Sequence, residues 1–351
     1  MKPSRNAVRF FCEDFQLSVS IEDVAKKAEV SISTVSRVIN RRNIVNVKTR
    51  ERVESAIEEL GYRPNVFARG LMLKRSNILA LVLPDLHGEF YSEIIRGANL
   101  SARDLGYELI ISSFLPHEEG DTVLSVVTGH SLVDGVTVMI SEVDAKTRDE
   151  LARVTIPLVV MDGDVEGVKH DNVVIDQRQG AVAIFRHLIY KRHANRIVFV
   201  GGLPTNIDTI ERLAAFRDIM QEANLSIFDK EVFHLDYSYQ SAFELGAKKV
   251  REWAKSRASV FAANDEMAAA IIDAAIESGI SVPDQLPVVG FDDTRIARMT
   301  RPRLTTVRVP MSTMGASAVE LLCQRLDDPD RPPTKLTLQS ELIVRESCGS
   351  V

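Results

Sequence analysis

Residues 20–40 read SIEDVAKKAEVSISTVSRVIN, and the spacing within them decides how the chain begins. Ile21, Val24, Ala25 and Ala28 recur at i, i+3, i+4 and i+7, the stripe of one helix face. Ser20 precedes them as an N-cap, with Asp23 three residues on, so a carboxylate stands at the positive end of the helix dipole. Glu29-Val30-Ser31 breaks the pattern, and Val35, Val38 and Ile39 mark one side of a second helix from Ser33. Asn46 is placed to cap a third, whose stripe is Val53, Ala56, Ile57 and Leu60 and which Gly61 ends. Two short helices about a tight turn, followed by a third, make a helix-turn-helix, whose second helix lies in the DNA major groove. Opposite Val35 and Val38 that helix offers Ser33, Thr34, Ser36 and Arg37. Small hydroxyls suit phosphate oxygens, and a guanidinium fork can bond O6 and N7 of guanine together. Ile32 can meet a thymine methyl. A plain three-helix bundle with a solvated face has the same periodicity, so the stripe alone leaves DNA binding open.

Charge points the same way. The 351 residues carry a net −6, which on average argues against a nucleic-acid partner. Residues 1–76, however, hold 15 Lys+Arg against 9 Asp+Glu, a net +6, leaving 28 against 40, a net −12, for the rest. A basic head on an acidic body is the asymmetry of a nucleic-acid-binding segment. With 45% hydrophobic residues the chain has the apolar surface that a disordered protein lacks, and room for two or three domains. Cys12, Cys323 and Cys348 lie far apart without a C-x-x-C spacing, which excludes a disulfide framework or zinc ribbon and points to a reducing cytoplasm. No apolar run approaches the roughly 20 residues of a membrane helix. The start of the chain lacks the apolar stretch of a secretion signal.

From residue 78 onward short apolar runs alternate with amphipathic stretches. Ile78–Leu83, Tyr107–Ser112, Gly135–Ile140, Leu158–Met161, Arg196–Gly201, Ser259–Ala263 and Val288–Phe291 read as strands. Between them Glu93–Leu105, Gln179–Ile189, Glu211–Ala223, Ser241–Trp253 and Glu266–Ser278 read as helices. This alternation predicts an α/β body with parallel sheets, long enough for two subdomains. Catalysis has little support. Gly201-Gly202 follows a strand, but the G-x-G-x-x-G spacing is missing, and there is no G-x-S-x-G elbow. His187 and His193, six apart, are a poor metal pair.

The ordered strings Ile21–Ala28, Val30-Ser31, Ser33–Asn40, Thr49–Val53 and Glu59–Asn65 closely resemble the DNA-binding head of the lactose-repressor (LacI/GalR) family. Phe90-Tyr91, Ile156–Asp162, Arg212-Leu-Ala, Phe261–Ala268, Val288–Asp293 and Pro302–Arg308 resemble that family's core, itself similar to periplasmic sugar-binding proteins. The resemblance implies an all-α helix-turn-helix head on a two-subdomain, periplasmic-binding-protein-like α/β core. It divides the chain into an extension at 1–17, a head at 18–63, a hinge helix or linker at 64–76 and a core at 77–351. The core's first subdomain is expected at about 77–176 and 308–335, and its second at about 177–307 and 336–347.

By the same resemblance Ile32, Ser33 and Arg37 sit where the family reads bases. Ser31, Thr34, Ser36, Asn40, Tyr62, Asn65 and Ala68 sit where it holds the DNA backbone or positions the head. Leu71 takes the place of the hinge leucine that wedges into the minor groove, where the cost of unstacking is offset by the contacts a bend permits. Phe90, Tyr91, Asp162, Arg212, Tyr237, Asn264 and Asp292 would line an effector cleft at the carboxyl ends of the strands. Acids, amide, guanidinium and an aromatic face suit a polyhydroxyl ligand, and equally a nucleobase or sugar phosphate. Taken singly, Asn264 and Asp292 also fit as helix caps, and Phe90 and Tyr91 as core. Departures from the family pattern are Glu29 where a turn glycine is usual, Arg41-Arg42 for small polar residues, Gly70 inside the hinge, and Val309 for a glutamine.

The reading is thus a regulator rather than an enzyme, without a cofactor or metal. Its partners are double-stranded DNA bearing a pseudo-palindromic operator, a small-molecule effector of carbohydrate type, and a second copy of itself. A dimer is expected because no leucine-heptad tail follows Leu342–Glu346. The setting is cytoplasmic, on the nucleoid, with no membrane. The competing readings are a solute-binding module, a purine-type co-repressor sensor and a dinucleotide enzyme.

Overall fold

The computed structural model describes residues 19–39, 45–62, 75–113, 133–142 and 145–349. Two compact units divide the chain at Ser76/Asn77. The extension expected at 1–17 lies outside the described residues, as does the expected hinge apart from Arg75 and Ser76.

The first unit holds α1 (Ile21–Lys27), α2 (Ile32–Ile39) and α3 (Val47–Leu60). Ser20 and Asp23 form a reciprocal capping box, Asn46 accepts from the Thr49 amide at 3.2 Å, and Gly61 closes α3 in the left-handed region at φ 61°. The stripes meet as expected: Val24, Ala25, Ala28, Val35, Val38, Val53 and Ala56 are buried together. Glu29 makes the turn. Its φ is 52°, and the Val30 amide reaches back to Ala25 O at 3.0 Å, closing α1. An L side chain in that conformation is strained where glycine is not. Glu29→Gly is therefore expected to stabilise the head by about 0.5–1 kcal/mol, read as slower hydrogen exchange of the α1 and α2 amides in the intact chain. Unchanged or faster exchange would show that the turn is not strained.

The second unit has two lobes. The first lobe is a six-stranded parallel sheet in the order β2 (Glu108–Ser113), β1 (Ile78–Leu83), β3 (Gly135–Met139), β4 (Leu158–Met161), β5 (Asp171–Ile175), β11 (Lys335–Leu338). β1, β3 and β4 are buried at every position, as strands covered by helices on both faces must be. Two of those helices, α4 (Gly88–Asp104) and α11 (Met311–Asp327), touch backbone to backbone. A Cβ on Gly97 would overlap Ser312 O, and one on Gly315 would overlap Ile94 O.

The second lobe is a four-stranded parallel sheet in the order β7 (Val232–His234), β6 (Ile197–Gly201), β8 (Ser259–Ala262), β9 (Val288–Val289). Its helices are α6 (Gln177–Arg186), α7 (Ile207–Glu222), α8 (Tyr239–Lys255) and α9 (Asp265–Glu277). Phe185, Phe199, Phe216, Phe261 and Phe291 stack through its core, with successive centroids 4.7 to 6.4 Å apart. The chain crosses between lobes three times, after β5, after β10 (Thr306–Arg308) and after β11. β12 (Glu341–Ile343) then pairs antiparallel with β10. Because β11 pairs with β5, the last crossing comes later than the 335/336 boundary expected from the resemblance. The buried Asp293 carboxylate ties this region together, taking Arg308 at 2.7 Å, Arg298 at 3.3 Å and Arg345.

Candidate functional site

Two places carry chemistry. On the head, Ser31 begins α2: its hydroxyl accepts from the Thr34 amide at 3.3 Å and shares hydrogen bonds with the Ser33 and Thr34 hydroxyls at 2.8 and 2.9 Å. Val35 and Val38 face the core, which turns Ser33 and Arg37 to solvent and leaves Ile32 44% exposed. An isoleucine so exposed at a helix start is apolar surface aimed away from its own core. Thr34 and Ser36 flank the face half-buried, and Tyr62 packs against the bundle beyond α3. Lys27 and Glu59 pair at 2.7 Å between α1 and α3. Asn40, Asn65, Ala68 and Leu71 lie outside the described residues, as do Arg41, Arg42 and Gly70.

In the second unit the carboxyl ends of both sheets face one cleft, and the expected effector residues meet there. Phe90 and Tyr91 stand in the first turn of α4, edge to face at 5.3 Å. Asp162 follows β4 at φ 68°, and Asp292 follows β9 at φ 111°. Arg212, on α7, is buried at the centre. Its Nη1 donates to Ala263 O at 2.6 Å, and its Nε and Nη2 donate to Gln177 Oε1 at 3.2 and 2.8 Å. Nη2 also reaches Asp208 Oδ2 at 3.2 Å. Its guanidinium carbon stacks 3.9 Å above the Phe291 ring. Tyr237, at φ 65°, lays its ring on Gly202, where any Cβ would overlap it. Its hydroxyl donates to Asn206 Oδ1 at 2.9 Å and meets Thr209 Oγ1 at 2.7 Å. Gly202 is thus a seat for this ring, while a Cβ on Gly201 would meet Phe199 in the core, and the pair serves packing in place of the phosphate loop its position after a strand suggested. Asn264 caps α9, accepting from the Met267 amide at 2.8 Å, and donates to Tyr237 O at 3.0 Å, so both ends of its amide are engaged within the protein. Val309 is buried.

Sequence reasoning missed two members. Gln177 opens α6 and Asp208 lies one turn before Arg212 on α7. The i, i+4 Asp-Arg spacing was the available signal for the second. Burial raises the Asp162 carboxyl well above the ordinary carboxylate range and the Asp208 charge adds to it, against the pull of Arg212. Burial likewise raises Asp208 and Asp292, again opposed by Arg212. Asp162 Oδ1, Asp208 Oδ1 and Gln177 Nε2 are buried without a well-formed hydrogen bond among the described residues, although the Gln177 amide lies near enough to both carboxyls to favour their charged forms. Buried polar atoms without partners are costly and call for an explanation. The lobes themselves are docked: Ser141 O accepts from the Ile207 amide at 2.9 Å, Glu142 Oε1 from Thr205 Oγ1 at 2.8 Å, and Glu89 Oε2 from the Arg295 amide at 2.7 Å.

Residues 20–65 match the model for bacterial regulatory proteins of the lacI family, and residues 185–348 match the periplasmic binding protein-like domain. Catabolite control protein A of Priestia megaterium is 35% identical over 314 residues, covering 89% of this chain and 93% of that protein. The chain belongs to the LacI family. Among solved structures, the lac repressor dimer bound to operator and the anti-inducer ONPF aligns with a TM-score of 0.82 at 25% identity, over 95% of this chain and 100% of that one. The complex of the transcriptional regulator CelR with cellobiose aligns at 0.68 and 28% identity, over 94% and 99%. This LacI-family protein is a DNA-binding transcriptional regulator with an effector-binding core, not an enzyme, which removes the dinucleotide-enzyme reading and that of a solute-binding module without regulatory function. Among its described residues no helix is long and apolar enough to cross a membrane.

Proposed function

We propose that this regulator is a cytoplasmic repressor. Two copies bind a pseudo-palindromic operator, one head per half-site, and a small carbohydrate in the core cleft controls their affinity. Arg37 with Ile32 and Ser33 reads bases, while Ser31, Thr34, Ser36 and Tyr62 hold the backbone and position the head. Asn40, Asn65, Ala68 and Leu71 are assigned to DNA by the family resemblance alone. Phe90, Tyr91, Asp162, Arg212, Tyr237 and Asp292 line the effector site, with Asn264 supporting Tyr237.

The observation that carries the effector reading is the buried polar cluster of Asp162, Asp208, Gln177 and Arg212, in which Asp162 Oδ1, Asp208 Oδ1 and Gln177 Nε2 make no well-formed hydrogen bond among the described residues, beside aromatic faces between two lobes. Such a cleft suits a compact ligand dense in hydroxyls, whose ring presents an apolar face to Phe90 or Tyr91. The operator and sugar complexes of the similar proteins support the DNA partner, the dimer and the carbohydrate. A purine would stack on the same aromatics but offers fewer donors to the two carboxylates.

The test is operator affinity by fluorescence anisotropy, on a site selected from random DNA, with and without a panel of carbohydrates and purines. At least one carbohydrate is expected to change operator affinity about five-fold or more, and Asp292→Asn to abolish that response while operator binding persists. A panel in which only purines act would replace the carbohydrate reading. A full response from Asp292→Asn would remove Asp292 from the site.

A further inference from the structure

The core begins at the end of its first sheet that lies away from the cleft. The two units divide at Ser76/Asn77, so Asn77 is the root from which the linker runs to the head. It stands just before β1, Asp134 just before β3, and Glu108 opens β2. Three hydrogen bonds hold these strand starts together. The Glu108 amide donates to Asn77 O at 2.9 Å, and the Asp134 amide to Ile78 O at 2.8 Å. Both extend the parallel ladders by one step, and any residue could make them. The third depends on the side chain at 134: the Asn77 amide donates to Asp134 Oδ2 at 2.9 Å. Asn77 is at φ 57°, a left-handed conformation that asparagine tolerates better than most residues. A charged acceptor on its amide holds that conformation in place.

The same strands reach the cleft at their other ends. β1 leads through residues 84–87 into α4, whose first turn carries Phe90 and Tyr91. β3 leads to Ser141 and Glu142, which dock the second lobe. β1 and β3 are paired directly and buried at every position. Asn77 and Asp134 thus meet at the roots of two adjacent strands that end at the effector loop and at the lobe contact.

We infer that Asp134 is a positioning residue for operator binding, its carboxylate holding Asn77, the root of the linker, in one orientation. This rests on the reading of paired heads on one operator and adds the residue that steadies them. A single head attracts phosphate in any register, so binding to random DNA is indifferent to how the linker is rooted. Two heads must meet half-sites at a set spacing. A linker free to turn at its root loses that freedom on the operator, which weakens the specific site selectively.

The experiment uses the intact protein, an operator selected from random DNA and a random duplex of equal length, with anisotropy at fixed salt. Asp134→Ala is expected to bind the operator about ten-fold more weakly, the low end of what a hydrogen bond to a charged group contributes. The random duplex should bind within about two-fold of wild type. Asp134→Asn, which keeps an acceptor oxygen there, should recover operator affinity to within about three-fold of wild type. Linkage adds a readout from the wild-type chain, which decides alone should the alanine variant not fold. If the broken contact weakens operator binding about ten-fold, bound operator suppresses its opening by the same factor. The Asn77 amide should then exchange about ten-fold more slowly on the operator than on the random duplex. Unchanged operator affinity in Asp134→Ala, an equal loss on both duplexes, an equal loss in Asp134→Asn, or one exchange rate for Asn77 on both duplexes would each overturn the inference and leave the regulator intact. A wild-type protein that prefers no selected site to the random duplex overturns the operator reading, and the role of Asp134 with it.

Discussion

Arg212→Met is expected to lower the stability of the core by about 3–5 kcal/mol near neutral pH, because it leaves three buried carboxylates facing one another without their cation. Methionine keeps most of the side-chain volume above Phe291, so little of the loss comes from a cavity. The effect depends on pH with a definite sign. Arg212 lowers the proton affinity of Asp162, Asp208 and Asp292, so without it their pKa values rise further above the ordinary carboxylate value. An acid whose folded-state pKa is raised costs nothing while pH stays below its unfolded value. Stability is then lost as pH climbs through the folded value. The gap between variant and wild type should therefore be largest at pH 8 and narrow towards pH 5, measured as the shift of the urea midpoint of the intact protein. A gap that is constant with pH would mean that Arg212 acts by packing and not by charge. Effector response should vanish in the variant at every pH.

Arg37→Ala is expected to weaken binding to the specific operator by about 1–3 kcal/mol, roughly 5- to 150-fold, and to relax base preference at one position of each half-site. Arg37 is exposed on the face of α2 opposite Val35 and Val38 and has no ion pair among the described residues, so its removal leaves the head's core untouched. The discriminating measurement is a competition with randomised DNA at fixed salt. Loss confined to the specific site marks a base contact. A uniform loss across all sequences, with a shallower salt dependence, would reassign Arg37 to phosphate.

The head was legible in its residues because a small bundle has little freedom. Val24, Ala25, Val35, Val38, Val53 and Ala56 can bury only one stripe per helix, and Ser20, Asn46 and Gly61 mark ends that they do cap. The strands of the body were equally plain where both faces are covered, as in β1. Helix α11 was not legible. Met311, Met314, Ala318, Val319, Leu322 and Cys323 are buried around much of its circumference, so it shows no amphipathic stripe. The short β10 and β12 pair with each other, and β10 bridges to Asp292 on its other side, across a lobe crossing that no local pattern announces. In the site, chemistry and geometry diverged at two places. Gln177 and Asp208 look like solvated helix residues until the fold turns them inward, and Asn264 fits an effector contact until its cap and its bond to Tyr237 O appear.

The three hydrogen bonds that dock the lobes, at Ser141–Ile207, Glu142–Thr205 and Glu89–Arg295, have a consequence in time. They close over Arg212 and its acids, so an effector enters only during the intervals when the lobes part. The speed with which this regulator registers a change in its surroundings is then set by how often those contacts break, and not by how fast the ligand diffuses. Loosening the lobes would make the protein a quicker listener. It would also make it a less discriminating one, since the same closure excludes the water that would weaken every polar contact in the cleft.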